Sequence, residues 1–72
     1  MFGDRLKLAR KKAGFSLHTL SEALDGRVSA QAIGKYERGA IMPSSGTLLA
    51  LAKTLDISLD YLMGAQIHAI TL

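Results

Sequence analysis

Gln31 and Lys35 lie four residues apart in the run Ser29-Ala30-Gln31-Ala32-Ile33-Gly34-Lys35-Tyr36-Glu37-Arg38-Gly39. On a helix that spacing puts both side chains on one face, one turn apart. A glutamine amide can bond N6 and N7 of adenine together, and a lysine ammonium can reach O6 and N7 of guanine. The pair therefore has the chemistry of base-edge readout in a DNA major groove. On an arbitrary helix two such side chains are most often solvated surface, so their neighbours decide the matter. By position, Ala30, Gly34 and Arg38 fall on the outward side of the same segment and Ile33 on the core side.

Other chemistries find little support. The chain has no cysteine, which removes a disulfide framework and a thiolate metal site together. His18 and His68 are far apart and stand beside no carboxylate pattern, so no metal site is expected. There is no Ser/His/Asp arrangement, no nucleophile elbow and no phosphate-cradling glycine loop. The expectation is a protein that is not an enzyme, with no cofactor and no small-molecule substrate. No apolar run approaches the roughly 18 to 20 residues needed to span a bilayer. Asp4 and Arg5 follow the first methionine too closely for a signal peptide. A cytoplasmic protein with no membrane partner is expected.

Charge is distributed unevenly. Through Arg38 there are eight basic residues (Arg5, Lys7, Arg10, Lys11, Lys12, Arg27, Lys35, Arg38) against four acidic ones (Asp4, Glu22, Asp25, Glu37), a net of +4. Beyond it, Lys53 against Asp56 and Asp60 gives −1. A basic half on a small domain fits a polyanion, because Lys and Arg that neutralise phosphates release condensed counterions.

The elements that must position Gln31 and Lys35 can be traced from periodicity and punctuation. With 72 residues and no cross-links, the core must come from packed helices in a single domain. Phe2, Leu6, Ala9 and Ala13 recur at the spacing of one helix face, and Gly14 stops that segment. Ser16 caps a second, with Leu17, Leu20 and Leu24 on one stripe, and Asp25-Gly26 breaks it. Ser29 caps a third, which runs to Arg38 and stops at Gly39. After the connector Ala40-Ile41-Met42-Pro43, Ser44 caps a fourth. There Leu48, Leu49, Leu51, Ala52 and Leu55 cover so much of the circumference that it should be the most buried helix. Ser58 caps a short fifth turn, Leu59 to Met63, which Gly64 closes. Residues 1–64 thus form the domain, and 65–72 are a tail or the start of a dimerisation or missing segment. Two short helices across a tight glycine-containing turn are the sequence shape of a helix-turn-helix, whose helix starts offer N–H groups to phosphates.

Arg10, Gly14-Phe15-Ser16, Leu20, Val28-Ser29, Ile33, Tyr36-Glu37-Arg38-Gly39, Pro43-Ser44, Leu48, Leu51-Ala52 and Leu55 together resemble the phage-repressor (Cro/cI, XRE-type) family. The resemblance covers about residues 2 to 64. It implies an all-α, five-helix, lambda-repressor-like bundle with the helix-turn-helix at helices 2 and 3. It implies sequence-specific binding of double-stranded DNA by a bacterial or phage transcriptional regulator, a repressor foremost. A homodimer on DNA would read half-sites about 34 Å apart.

By position, the resemblance makes Gln31 and Lys35 base readers and Ala30 an apolar neighbour for a thymine methyl. Ser29, Leu17, His18, Arg38 and Ser44 become phosphate contacts. Leu17 stands where the family often has a polar side chain, which leaves only its N–H for that role. Met42 departs from the family's basic loops. The turn Asp25-Gly26-Arg27-Val28 is about two residues longer than the commonest family turn, so Arg27 can reach a phosphate. Arg10 and Glu37 match a structural ion pair between the first helix and the reading helix. The Gly-Arg-Val-Ser turn and the Met-Pro-Ser-Ser connector are similar, more particularly, to regulators that continue into an ImmA/IrrE-type metallopeptidase. The alternative is a protein-interaction module, an antitoxin or adaptor, which would prefer an apolar patch at Ala30, Gln31 and Lys35. Leu59, Tyr61, Leu62 and the tail residues Ile67, Ile70 and Leu72 could form a two-fold interface.

Overall fold

Four serines start four helices. The hydroxyls of Ser16, Ser29, Ser44 and Ser58 accept hydrogen bonds from the N–H groups of Thr19, Ala32, Thr47 and Tyr61. Each satisfies an amide that no intrahelical carbonyl can reach, a contribution of about 1 kcal/mol per cap. The structure, a computed structural model, describes residues 1–64. They form α1 (Phe2–Lys12), α2 (Leu17–Ala23), α3 (Ala30–Glu37), α4 (Ser45–Leu55) and α5 (Leu59–Leu62). The class is all-α, with five helices in the order the caps and stops predict. The tail, including His68 and the apolar residues Ile67, Ile70 and Leu72, lies outside the described residues.

The helices stop for local reasons as well. Past α1, Gly14 takes φ +85°, so that its N–H reaches the Lys11 carbonyl and the Phe15 N–H reaches that of Arg10. This left-handed stop uses carbonyls that the helix itself leaves free, and only glycine enters it without a Cβ penalty. After α2, two successive residues, Asp25 (φ 59°) and Gly26 (φ 73°), turn the chain. The Gly26 N–H bonds back to the Ser21 carbonyl, and the Ser21 hydroxyl donates to the Val28 carbonyl at 2.7 Å. The turn is therefore tied at both ends, with Leu24 and Val28 buried on either side of it.

Each helix sends one fully buried side chain to a common centre: Leu6, Leu20, Ile33, Leu51 and Leu62. Full burial of a side chain of this size contributes about 1.5 to 3 kcal/mol. The Arg5 guanidinium lies 5.3 Å from the centre of the Tyr61 ring, a cation–π contact that joins α1 to α5.

Two sequence expectations are corrected here. The fourth helix is not the most buried, because Leu49 is 59 % exposed and only Leu51, Ala52 and Leu55 are buried. Among five short helices a single stripe meets the core, and a second apolar stripe has no neighbour to face. Leu62 is 0 % exposed, so it belongs to the core and not to a two-fold interface.

Candidate nucleic-acid interface

The inner side of α3 is fixed by three devices. Ile33 and Tyr36 are buried in the core. Glu37, at the last helical position, accepts two hydrogen bonds from Arg10, Nε to Oε2 at 2.6 Å and Nη2 to Oε1 at 3.1 Å. The paired side chains are only 9 % and 7 % exposed. A planar guanidinium matches a carboxylate in this two-point geometry as an ammonium cannot. The remaining Arg10 nitrogen, Nη1, donates to the Phe15 carbonyl at 3.0 Å, so one side chain ties together α1, the turn after it and α3. The hydrogen bond to Glu37 raises the Arg10 pKa above its ordinary value, outweighing the opposing effect of burial.

The third device is Gly3, which sequence reasoning missed. A Cβ there would collide with the Glu37 carbonyl oxygen and stand 2.9 Å from that of Tyr36. The backbone of α1 therefore lies directly on the last carbonyls of α3, a contact only glycine permits. The available signal was a glycine inside the first turn of a helix, where its low propensity calls for a packing reason.

With its back held in this way, α3 presents Gln31 and Lys35 to solvent. Among the described residues neither side chain has a hydrogen-bond or ion-pair partner. Ala30 is half-buried beside them, and Ser29, at the start of the helix, is exposed with its hydroxyl oxygen accepting from Ala32 N–H at 3.0 Å. Gly34 departs from expectation. It is buried and does not face outward, because Leu17 and the Arg38 side chain cover it.

The other expected phosphate contacts are arranged around this helix. Arg27 and Ser44 line one cleft of about 200 Å³, between the α2–α3 turn and the start of α4. Both are exposed. The Ser44 hydroxyl oxygen accepts the capping bond from Thr47 N–H while its proton is donated to Thr47 Oγ1 at 3.1 Å. Leu17 is half-buried at the start of α2, which leaves its backbone as the polar group there. His18 is exposed, with Nε2 3.3 Å from the Glu22 carboxylate one turn along α2. Met42 is 57 % exposed and Ile41 45 %, an apolar stretch in the connector. Among the described residues Arg27, Lys35 and Arg38 have no ion-pair partner, so their charge is open to a ligand. No helix among the described residues is long and apolar enough to cross a membrane.

Comparison with known proteins agrees with this fold. Three proteins of Bacillus subtilis (strain 168) are similar to the chain. The SPbeta prophage-derived uncharacterized HTH-type transcriptional regulator YonR is 38% identical over 63 residues, 88% of this chain and 56% of the relative. The HTH-type transcriptional regulator ImmR is 39% identical over 62 residues, 86% of this chain and 47% of the relative. The uncharacterized HTH-type transcriptional regulator YqaE is 33% identical over 66 residues, 92% of this chain and 55% of the relative. The chain thus spans about half the length of these relatives. No solved structure matches it at a significant level. The helix-turn-helix family matches residues 6–62, from α1 through α5. On that match, and with α2, the tied turn and α3 in place, the chain belongs to the helix-turn-helix family.

Proposed function

We propose that this chain binds double-stranded DNA in a sequence-specific manner as the reading domain of a prokaryotic or phage transcriptional regulator, a repressor foremost. α3 enters the major groove, Gln31 and Lys35 bond base edges, and Ala30 lies against a thymine methyl. Arg27, Ser29, Arg38, Ser44 and the first amides of Leu17 and His18 hold the flanking phosphates. The observation that carries this reading is the pairing of two exposed polar side chains, Gln31 and Lys35, with a helix pinned from behind by Arg10 and Gly3. Base readout needs donors held in place before DNA arrives, and a helix fixed to its domain on the opposite face meets that need.

The names of the relatives support regulation as the biological task. The chain acts in the cytoplasm, where the chromosome is, as a homodimer on a two-fold operator and without a small-molecule substrate. Leu59 and Met63, 37% and 39% exposed in and beside α5, are among the described apolar side chains available for such an interface. A protein-interaction role through α3 has less support, because the exposed side chains there are Gln31, Lys35 and Arg38 instead of an apolar patch.

Selection of duplexes from a random pool by the purified chain tests the reading. Enrichment of one short motif, with binding that weakens steeply as salt rises, is the expected result. A pool that stays random after repeated rounds would overturn it.

A further inference from the structure

Gly34 is an unexpected residue at the centre of an eight-residue reading helix. Glycine is poor in a helix interior, so its presence there calls for a local reason. Its φ lies outside the left-handed region and the position is buried, so neither a turn nor an approaching ligand supplies that reason. What surrounds it does. A Cβ on Gly34 would stand 3.3 Å from Arg38 Nη1 and 3.8 Å from Leu17 Cδ1. The first distance is tighter than ordinary van der Waals contact between a Cβ and its neighbours.

The Arg38 side chain thus runs back along α3 toward its N-terminus, as helical side chains tend to do, and its guanidinium rests in the space that Gly34 leaves empty. Leu17, the first residue of α2, forms the other wall of that space. The charge of Arg38 is consequently carried from the C-terminal end of α3 to the junction of α2 and α3. Arg38 remains exposed and has no ion-pair partner among the described residues, so the seated guanidinium can still meet an anion.

We infer that Gly34 is a positioning residue: it seats the Arg38 guanidinium over its own side-chain-free backbone, in a space that Leu17 also borders, where it grips a DNA backbone phosphate beside the reading helix. This rests on the DNA-binding reading above and adds the residue that sets where one of its phosphate contacts falls. The phosphate is favoured over a base edge because Gly34 is buried and the space beside it is bordered by Leu17 of α2, so the guanidinium is held back along the helix surface instead of extended outward from it.

Gly34→Ala narrows the seat by one methyl group and Gly34→Leu fills it; both are tested in the parent and in Arg38→Ala, on a fluorescent duplex selected by the parent and on an unrelated duplex. Arg38→Ala is expected to lower the slope of log affinity against log salt by about 1, and to weaken both duplexes alike. Gly34→Leu is expected to reproduce about five- to tenfold of that weakening, with the same loss of slope and an unchanged preference for the selected site. Gly34→Ala should act in the same direction more weakly while its Tm holds or rises, which separates lost seating from lost folding. In the Arg38→Ala background neither Gly34 substitution should weaken binding further. Equal weakening with and without Arg38, or a changed site preference at constant salt slope, would overturn the inference and leave DNA binding intact. A parent chain that binds neither duplex overturns the DNA reading itself, and is seen before any variant is made.

Discussion

Gly3 and Glu37, at opposite ends of their helices, are in direct backbone contact: the Cα of Gly3 faces the Glu37 carbonyl so closely that no side chain fits between them. This places the N-terminal turn of α1, where peptide dipoles leave partial positive charge, on the C-terminal carbonyls of α3, where they leave negative charge. Gly3→Ala must push two helices apart. Because the obstacle is backbone, and not the end of a flexible side chain, the expected cost is about 1 to 3 kcal/mol. A lowered urea midpoint checks this, and an unchanged midpoint would show that the contact yields freely.

The carboxylate of Glu37 makes the second link to α1 through Arg10. Glu37→Ala leaves a guanidinium with little access to water, and the expected loss is about 3 to 5 kcal/mol in urea unfolding. Replacing both partners by apolar residues, Arg10→Met with Glu37→Leu, should recover much of that loss, because no charge is then stranded.

The pH dependence of the arginine's share follows from its raised pKa. A group whose pKa is higher folded than unfolded contributes stability below the unfolded value and loses it only as pH rises through the folded one. Both lie far into the alkaline range for Arg10. The difference in stability between the parent and Arg10→Met should therefore stay level from neutral to mildly alkaline pH, and a decline there in denaturant melts would contradict it.

Arg27 projects from the α2–α3 turn beside Ser44 and supports no part of the fold through an ion pair among the described residues. Arg27→Ala should leave Tm unchanged and weaken every duplex by a similar factor, with the salt slope lowered by about 1. A selective loss on the preferred site would mean that Arg27 reads bases instead.

Element boundaries were readable because their causes are local. Serine caps, left-handed stops at Gly14 and Gly39, and the Asp25-Gly26 break act within a few residues, so the chain announces them directly. The exposed placement of Gln31 and Lys35 also follows from helical spacing once Ile33 is assigned to the core. Tertiary neighbours carry the rest. Gly34 looked outward by spacing, yet Arg38 folds back over it and Leu17 closes from α2. Leu49 and Leu62 are alike in type, but one is 59 % exposed and the other 0 %, because only one of them meets the junction of the helices. Gly3, poor in helix propensity, signals that something packs against it but not that the distant carbonyls of α3 do. Spacing cannot show which helix covers a given face, and these residues depend on that.

The most direct test of base readout by α3 is the preference of the parent, Gln31→Ala and Lys35→Ala for the selected duplex over one scrambled at its central positions, at fixed salt. Each variant should keep the parent's Tm and lose about 1 to 3 kcal/mol of preference. Preference unchanged in both variants would contradict recognition through this face.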